Sequence, residues 1–125
     1  MTSAPRRILV VEDDVGLRET LAEVLEDDGH EVRVAEDGEA ALAAIGEWIP
    51  ELIVLDLMMP RMDGYAFRQA QRELVGTLGT KILLLSAAHQ VEAAAEQLEA
   101  DAWLVKPFGL YDVLESVEGL LGNSG

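Results

Sequence analysis

Short apolar runs along the chain alternate with stretches in which apolar residues recur every three or four positions. Residues 8–11, Ile-Leu-Val-Val, are too few for a helix and rich in β-branched side chains, which predicts a strand buried on both faces. Asp14 follows as an N-cap, and Leu17, Leu21, Val24 and Leu25 then share one face of a helix that Gly29 closes. Residues 31–35 alternate with a period of two, as an edge strand with one wetter face does. Asp37-Gly38 opens a second helix with Ala41, Leu42, Ile45 and Trp48 turned to the core, and Pro50 ends it. Residues 52–56, Leu-Ile-Val-Leu-Asp, form a third strand that stops on a carboxylate before Pro60 and Gly64 turn the chain.

The same alternation continues. Asp63-Gly64 starts a helix with Phe67, Ala70 and Leu74 inward, and residues 75–80 form a loop. A fourth strand spans 81–85, a helix lies around 91–99, and a fifth strand spans 102–105. The last helix, 110–121, turns Leu110, Val113, Leu114, Val117 and Leu121 to its buried side, and residues 122–125 fray or begin a linker. Five strand–helix units in strict order predict an α/β fold with a parallel sheet, right-handed crossovers and helices on both faces. We expect one domain over residues 1–125, its core about 7–121.

Composition narrows the function. A chain of 125 residues buries a core without metal or disulfide staples, and the lack of cysteine excludes thiol chemistry. Neither an apolar run of membrane length nor a signal-peptide pattern occurs, so a cytoplasmic protein is expected. A net charge of -15 repels nucleic acid and anionic membrane, leaving protein partners and a local cation site.

Chemistry gathers where the strands end. The first strand runs into Glu12-Asp13-Asp14, the third ends in Asp56, the fourth meets Ser86, and the fifth meets Lys106-Pro107-Phe108. In a doubly wound sheet these ends share one rim, with the first and third strands adjacent. Carboxylates meeting there raise one another's pKa unless a cation intervenes, and hard oxygen ligands of this kind suit Mg²⁺. Lys106 adds a compact positive charge and Ser86 a hydroxyl, both suited to phosphate oxygens. Each residue alone has an ordinary explanation as a cap or surface turn; four of five strand ends together do not.

The motifs Ile-Leu-Val-Val-Glu12-Asp13-Asp14, Leu-Asp56-Leu-Met-Met-Pro60-Arg-Met-Asp-Gly64, Leu-Leu-Ser86-Ala87 and Leu-Val-Lys106-Pro107-Phe108 resemble, in this order, those of the receiver domain of bacterial two-component response regulators. The resemblance implies a flavodoxin-like sheet of order 2-1-3-4-5. It makes Asp56 the phosphoacceptor for a phosphohistidine of a sensor histidine kinase or phosphotransfer protein. Asp13 and Asp56 would bind Mg²⁺ directly, with the backbone carbonyl of Met58, and Glu12 through water. Ser86 and Lys106 would grip the phosphoryl group, Lys106-Pro107 would be a cis peptide, and Trp103 would hold the aromatic switch position. No external substrate is implied; the output is a partner protein or an output domain outside this chain.

Three features depart from that pattern. Trp103 is bulkier than the usual Tyr or Phe, no glycine ends the fourth helix, and Gly109 stands where an Asp often caps the fifth. After Lys81 the one basic residue is Lys106, against Glu92, Glu96, Glu99, Asp101, Asp112, Glu115 and Glu118, which predicts a monomer that signals to a basic or apolar docking patch. Two rival functions remain. A phosphatase of the haloacid-dehalogenase kind needs an acid where Met58 stands, and a phosphorylation-independent interaction module would have lost pocket residues that are all present. His30 and His89 are expected to face solvent, and Met59 to be packed.

Overall fold

The computed structural model describes residues 5–59, 62–74, 79–87 and 91–122. Pro60, residues 75–78 of the expected loop, His89 and the tail 123–125 lie outside them. The elements alternate as β1 (Arg7–Val11), α1 (Val15–Asp27), β2 (Glu31–Ala35), α2 (Gly38–Glu47) and β3 (Leu52–Asp56), followed by α3 (Gly64–Arg72), β4 (Lys81–Ala87), α4 (Val91–Leu98), β5 (Ala102–Lys106) and α5 (Leu110–Leu121). All strand pairings are parallel and the order is β2-β1-β3-β4-β5, as expected. Among the described residues no helix is long and apolar enough to cross a membrane.

The apolar runs form strands because both of their faces are covered. Leu9, Val11, Ile53, Leu55, Ile82 and Leu84 pack on one side with Ala41, Ile45, Trp48, Phe67 and Leu98. Their neighbours Ile8, Val10, Val54, Leu83 and Leu85 pack on the other with Leu21, Leu25, Val113 and Val117. Successive side chains of a strand thus serve opposite layers, so the middle of each of these strands is apolar and polar residues enter only toward the ends. Asp14, Asp37 and Asp63 each cap a helix, accepting from Leu17, Ala40 and Ala66 N–H at 3.0, 2.9 and 3.0 Å.

Several expectations need correction. Leu110 is 38% exposed, because helical period fixes direction but not how far the first turn overhangs the sheet. His30 does not face solvent: its side chain is only 15% exposed and its Nε2 lies 3.6 Å from Asp28. On α3, where the sequence sets no expectation for it, Gln71 is buried and accepts from Arg68 Nη1 at 2.5 Å. β4 continues through Ser86 to Ala87, so the hydroxyl belongs to the strand itself. At α5, Gly109 has no side chain to accept from the first-turn N–H groups, but the Asp112 carboxylate accepts from Gly109 N–H at 3.1 Å, the reciprocal half of a capping box.

The end of α4 keeps its left-handed turn without glycine. Glu99 takes φ +56°, with Glu99 N–H bonded to Glu96 O at 3.2 Å and Ala100 N–H to Ala95 O at 2.9 Å, the paired bonds of a Schellman closure. Leu98 O accepts from Arg68 Nε and Arg72 Nη2 at 2.8 and 2.9 Å, and Arg72 also pairs with the Glu99 carboxylate at 2.6 Å. An L-residue there costs about 1–2 kcal/mol, whereas an exposed ion pair returns at most about 1. Glu99→Gly is therefore expected to melt above Glu99→Ala by the equivalent of about 1 kcal/mol, since both lose the pair and only alanine keeps the strain. A thermal melt with the alanine variant at or above the glycine variant would contradict this account.

Candidate functional site

Parallel strand ends converge at one rim, and the chain's acids follow that convergence. Val11 pairs with both Ala35 and Leu55, so the residue after β1 lies beside the last residue of β3. Glu12 and Asp56 are buried there, 1% and 3% exposed, while Asp13 is exposed. Carboxylate oxygens of Glu12, Asp13 and Asp56 all lie within 4.8 Å of one another. From β5, Lys106 Nζ reaches Asp56 Oδ1 at 3.1 Å and Glu12 Oε1 at 3.5 Å.

Burial first, then repulsion from Asp56, pushes the Glu12 carboxyl up to about 7, although Asp14 N–H donating to Glu12 Oε2 at 3.2 Å and the Lys106 charge pull the other way. Burial likewise raises Asp56, against the charge and hydrogen bond of Lys106. Burial alone would lower Lys106, but the adjacent Asp56 and Glu12 charges reverse that and hold its ammonium above its ordinary value. One ammonium thus faces two buried carboxylates, with the third acid on the solvent side. The donor set is all oxygen and under-neutralised, which fits a hard divalent cation.

Ser86 is buried, and among the described residues its Oγ has no hydrogen-bond partner. A buried hydroxyl left unmatched costs about 1–3 kcal/mol, so Ser86 is ready to bond an incoming oxygen. The Lys106-Pro107 peptide is cis. Met58 is 57% exposed, and Met59 packs at 9%. Trp103 is 45% exposed and borders a groove with Glu92 and Glu96 on α4 and Glu99 just past its end. Glu12, Asp13, Asp56 and Lys106 are thus brought together, whereas the Trp103 ring faces outward.

Three contacts around the site were not foreseen. Gly64 N–H donates to Leu57 O at 2.8 Å, and a Cβ on Gly64 would lie 3.0 Å from Leu57 Cα, so the chain after Asp56 closes tightly only over glycine. A Cβ on Gly38 would fall 2.8 Å from Met62 O, which packs the start of α2 against the approach to α3. Arg18 Nη1 donates to Glu12 O at 3.0 Å. Helical side chains lean toward their N-terminus, so an arginine one turn after the Asp14 cap was the available signal for that bond.

The family model for the response regulator receiver domain matches residues 8–118. Response regulator MprA of Mycolicibacterium vanbaalenii is 40% identical over 119 residues, covering 94% of this chain and 51% of the relative. MprA of Mycobacterium tuberculosis is 42% identical over 118 residues, covering 92% and 50%. The chain therefore spans about half the length of these curated relatives. Chemotaxis response regulator CheY4 of Vibrio cholerae superposes with a TM-score of 0.87 at 30% identity, covering 94% of this chain and 99% of that one. NtrX of Brucella abortus superposes at 0.82 with 31% identity, covering 94% and 27%. With the family model matching residues of all five strands and all five helices, the chain belongs to the response regulator receiver domains.

Proposed function

We propose that this receiver domain, one unit with its core about 7–121, takes a phosphoryl group onto Asp56 from a phosphohistidine of a sensor kinase or phosphotransfer protein in the cytoplasm. The observation that carries the reading is the Lys106 ammonium 3.1 Å from Asp56 Oδ1, within a rim of three clustered carboxylates. An Asp56 oxygen attacks phosphorus as the P–N bond breaks, and the imidazole leaves with the bonding pair. Lys106 opposes the rise that burial gives the Asp56 carboxyl, favouring its nucleophilic ionised form, and stays beside the charge of the transferred group. Asp13, Asp56 and the Met58 backbone carbonyl, with Glu12 behind them, would hold Mg²⁺, which when bound would neutralise the oxygens around phosphorus.

The acyl phosphate brings about -1.5 to -2 charges against Ser86. The Ser86 hydroxyl donates to one of its oxygens, and Ser86 lies beside Val105 in the β4–β5 register, two residues from Trp103. Drawing Ser86 toward phosphate opens the packing beneath Trp103, whose inward turn carries the signal to a partner protein or output domain. The protein turns over no external substrate. Five acids on α4 and α5 disfavour pairing two copies of that face, so the domain acts as a monomer toward a basic or apolar docking patch.

Incubated with Mg²⁺ and acetyl phosphate, the chain should gain one phosphoryl group, which peptide mapping after borohydride trapping should assign to Asp56. Absence of the modification, or its recovery on another residue, would overturn the reading.

A further inference from the structure

Glu12 lies one residue past the last ladder pair of β1, where the sheet no longer dictates the path of the chain. Its N–H is still held by Ala35 O at 3.1 Å, and its carboxylate by Asp14 N–H and Lys106. Its carbonyl oxygen is held by a side chain, the Arg18 guanidinium at 3.0 Å. Because the peptide unit is planar, fixing that carbonyl fixes the Asp13 nitrogen and Cα, the point from which the Asp13 carboxylate leaves the loop. Arg18 is itself anchored, its N–H bonded to Asp14 O at 2.8 Å in the first turn of α1.

We propose that Arg18 is a positioning residue: by holding the Glu12 carbonyl it sets the peptide between Glu12 and Asp13, so that both carboxylates converge on Asp56. The inference rests on the reading of these acids as a Mg²⁺ site. Arg18 borders an open groove between α1 and β2, beside Ala22, Val32 and Val34, so truncation opens onto solvent and leaves no buried void. Charge and position act with opposite signs. Removing a cation near three carboxylates strengthens Mg²⁺ binding through Coulomb attraction alone, whereas loss of the loop's orientation weakens it.

Calorimetric titration with magnesium chloride of the whole chain, as wild type, Arg18→Met and Arg18→Lys, decides between them. Arg18→Met should bind Mg²⁺ about tenfold more weakly, as loss of an outer-shell partner typically does, with Arg18→Lys recovering most of the loss through its own N–H. Metal-free melting temperatures should stay close to wild type, and phosphorylation of Arg18→Met at limiting Mg²⁺ should recover as Mg²⁺ is raised. Arg18→Gln serves the same comparison should Arg18→Met not fold. Binding by the neutral variant as tight as wild type, or tighter, would overturn the positioning role. A wild-type protein that binds no Mg²⁺ and takes no phosphoryl group would instead overturn the site reading beneath it.

Discussion

Asp56→Asn is expected to abolish phosphoryl acceptance and, in the same protein, to raise the melting temperature without Mg²⁺. The first effect is chemical: a carboxamide of the same shape still accepts a hydrogen bond from Lys106 but offers no carboxylate oxygen to attack phosphorus. The second is electrostatic. Asp56 and Glu12 are both buried, Asp56 is among the causes that raise Glu12, and one partly exposed ammonium serves the two. Removing one charge relieves that repulsion and leaves Lys106 to Glu12, a gain of a few degrees if it amounts to about 1 kcal/mol. Intact-mass spectra and melting curves on the same samples test both. Phosphorylation of Asp56→Asn equal to wild type would remove Asp56 as acceptor, and a lower metal-free melting temperature would show that the acids are not in net repulsion.

Much of this arrangement was legible because its parts are short-range patterns with one packing solution. Runs such as Ile8 to Val11 and Leu52 to Leu55 are apolar on successive residues, which only a strand covered on both faces satisfies. Strict alternation then forces parallel pairing, and parallel pairing carries Lys106 to Asp56 across 50 residues of sequence. The resemblance to receiver domains, drawn from four strand-end motifs, is matched by the family model and by the CheY4 superposition. What the sequence did not disclose depends on distances rather than residue type. The approach of Gly38 to Met62 O and the reach of Arg18 to Glu12 O are set by loop paths that periodicity does not encode. The lack of ligand partners near His30 in the sequence bears on metal binding and not on burial. Gln71 is buried because Arg68 satisfies it, and that pairing becomes visible only when both sit on a folded helix. Glu99 shows that the left-handed closure belongs to the backbone; α3 supplies two arginines where glycine would have sufficed.

Without Mg²⁺, the folded chain is expected to lose stability as pH rises from about 4.5 to about 7, the ordinary and folded values for Glu12. Glu12 and Asp56 are both raised, so the folded state binds their protons more tightly than the unfolded state does. Their contribution is fully present below the unfolded pKa and lost as pH climbs through the folded one. Lys106, also raised, contributes stability below its ordinary value of 10.5 and so stays constant across this window. The loss from Glu12 is on the order of a few kcal/mol, because each tenfold difference in proton affinity between the folded and unfolded states is worth about 1.4 kcal/mol. Other carboxylates add a background slope through the net charge of -15, which Glu12→Gln isolates, since that variant keeps the background and removes the buried titration. Mg²⁺ competes with the protons for the same oxygens, so the rise in melting temperature that it gives should grow with pH over this window. Urea midpoints at a series of pH values, with and without Mg²⁺, measure both effects. A metal-free slope unchanged by Glu12→Gln, or a Mg²⁺ gain larger at the acid end than at neutrality, would mean that the rim acids are not held near neutrality by burial and mutual repulsion.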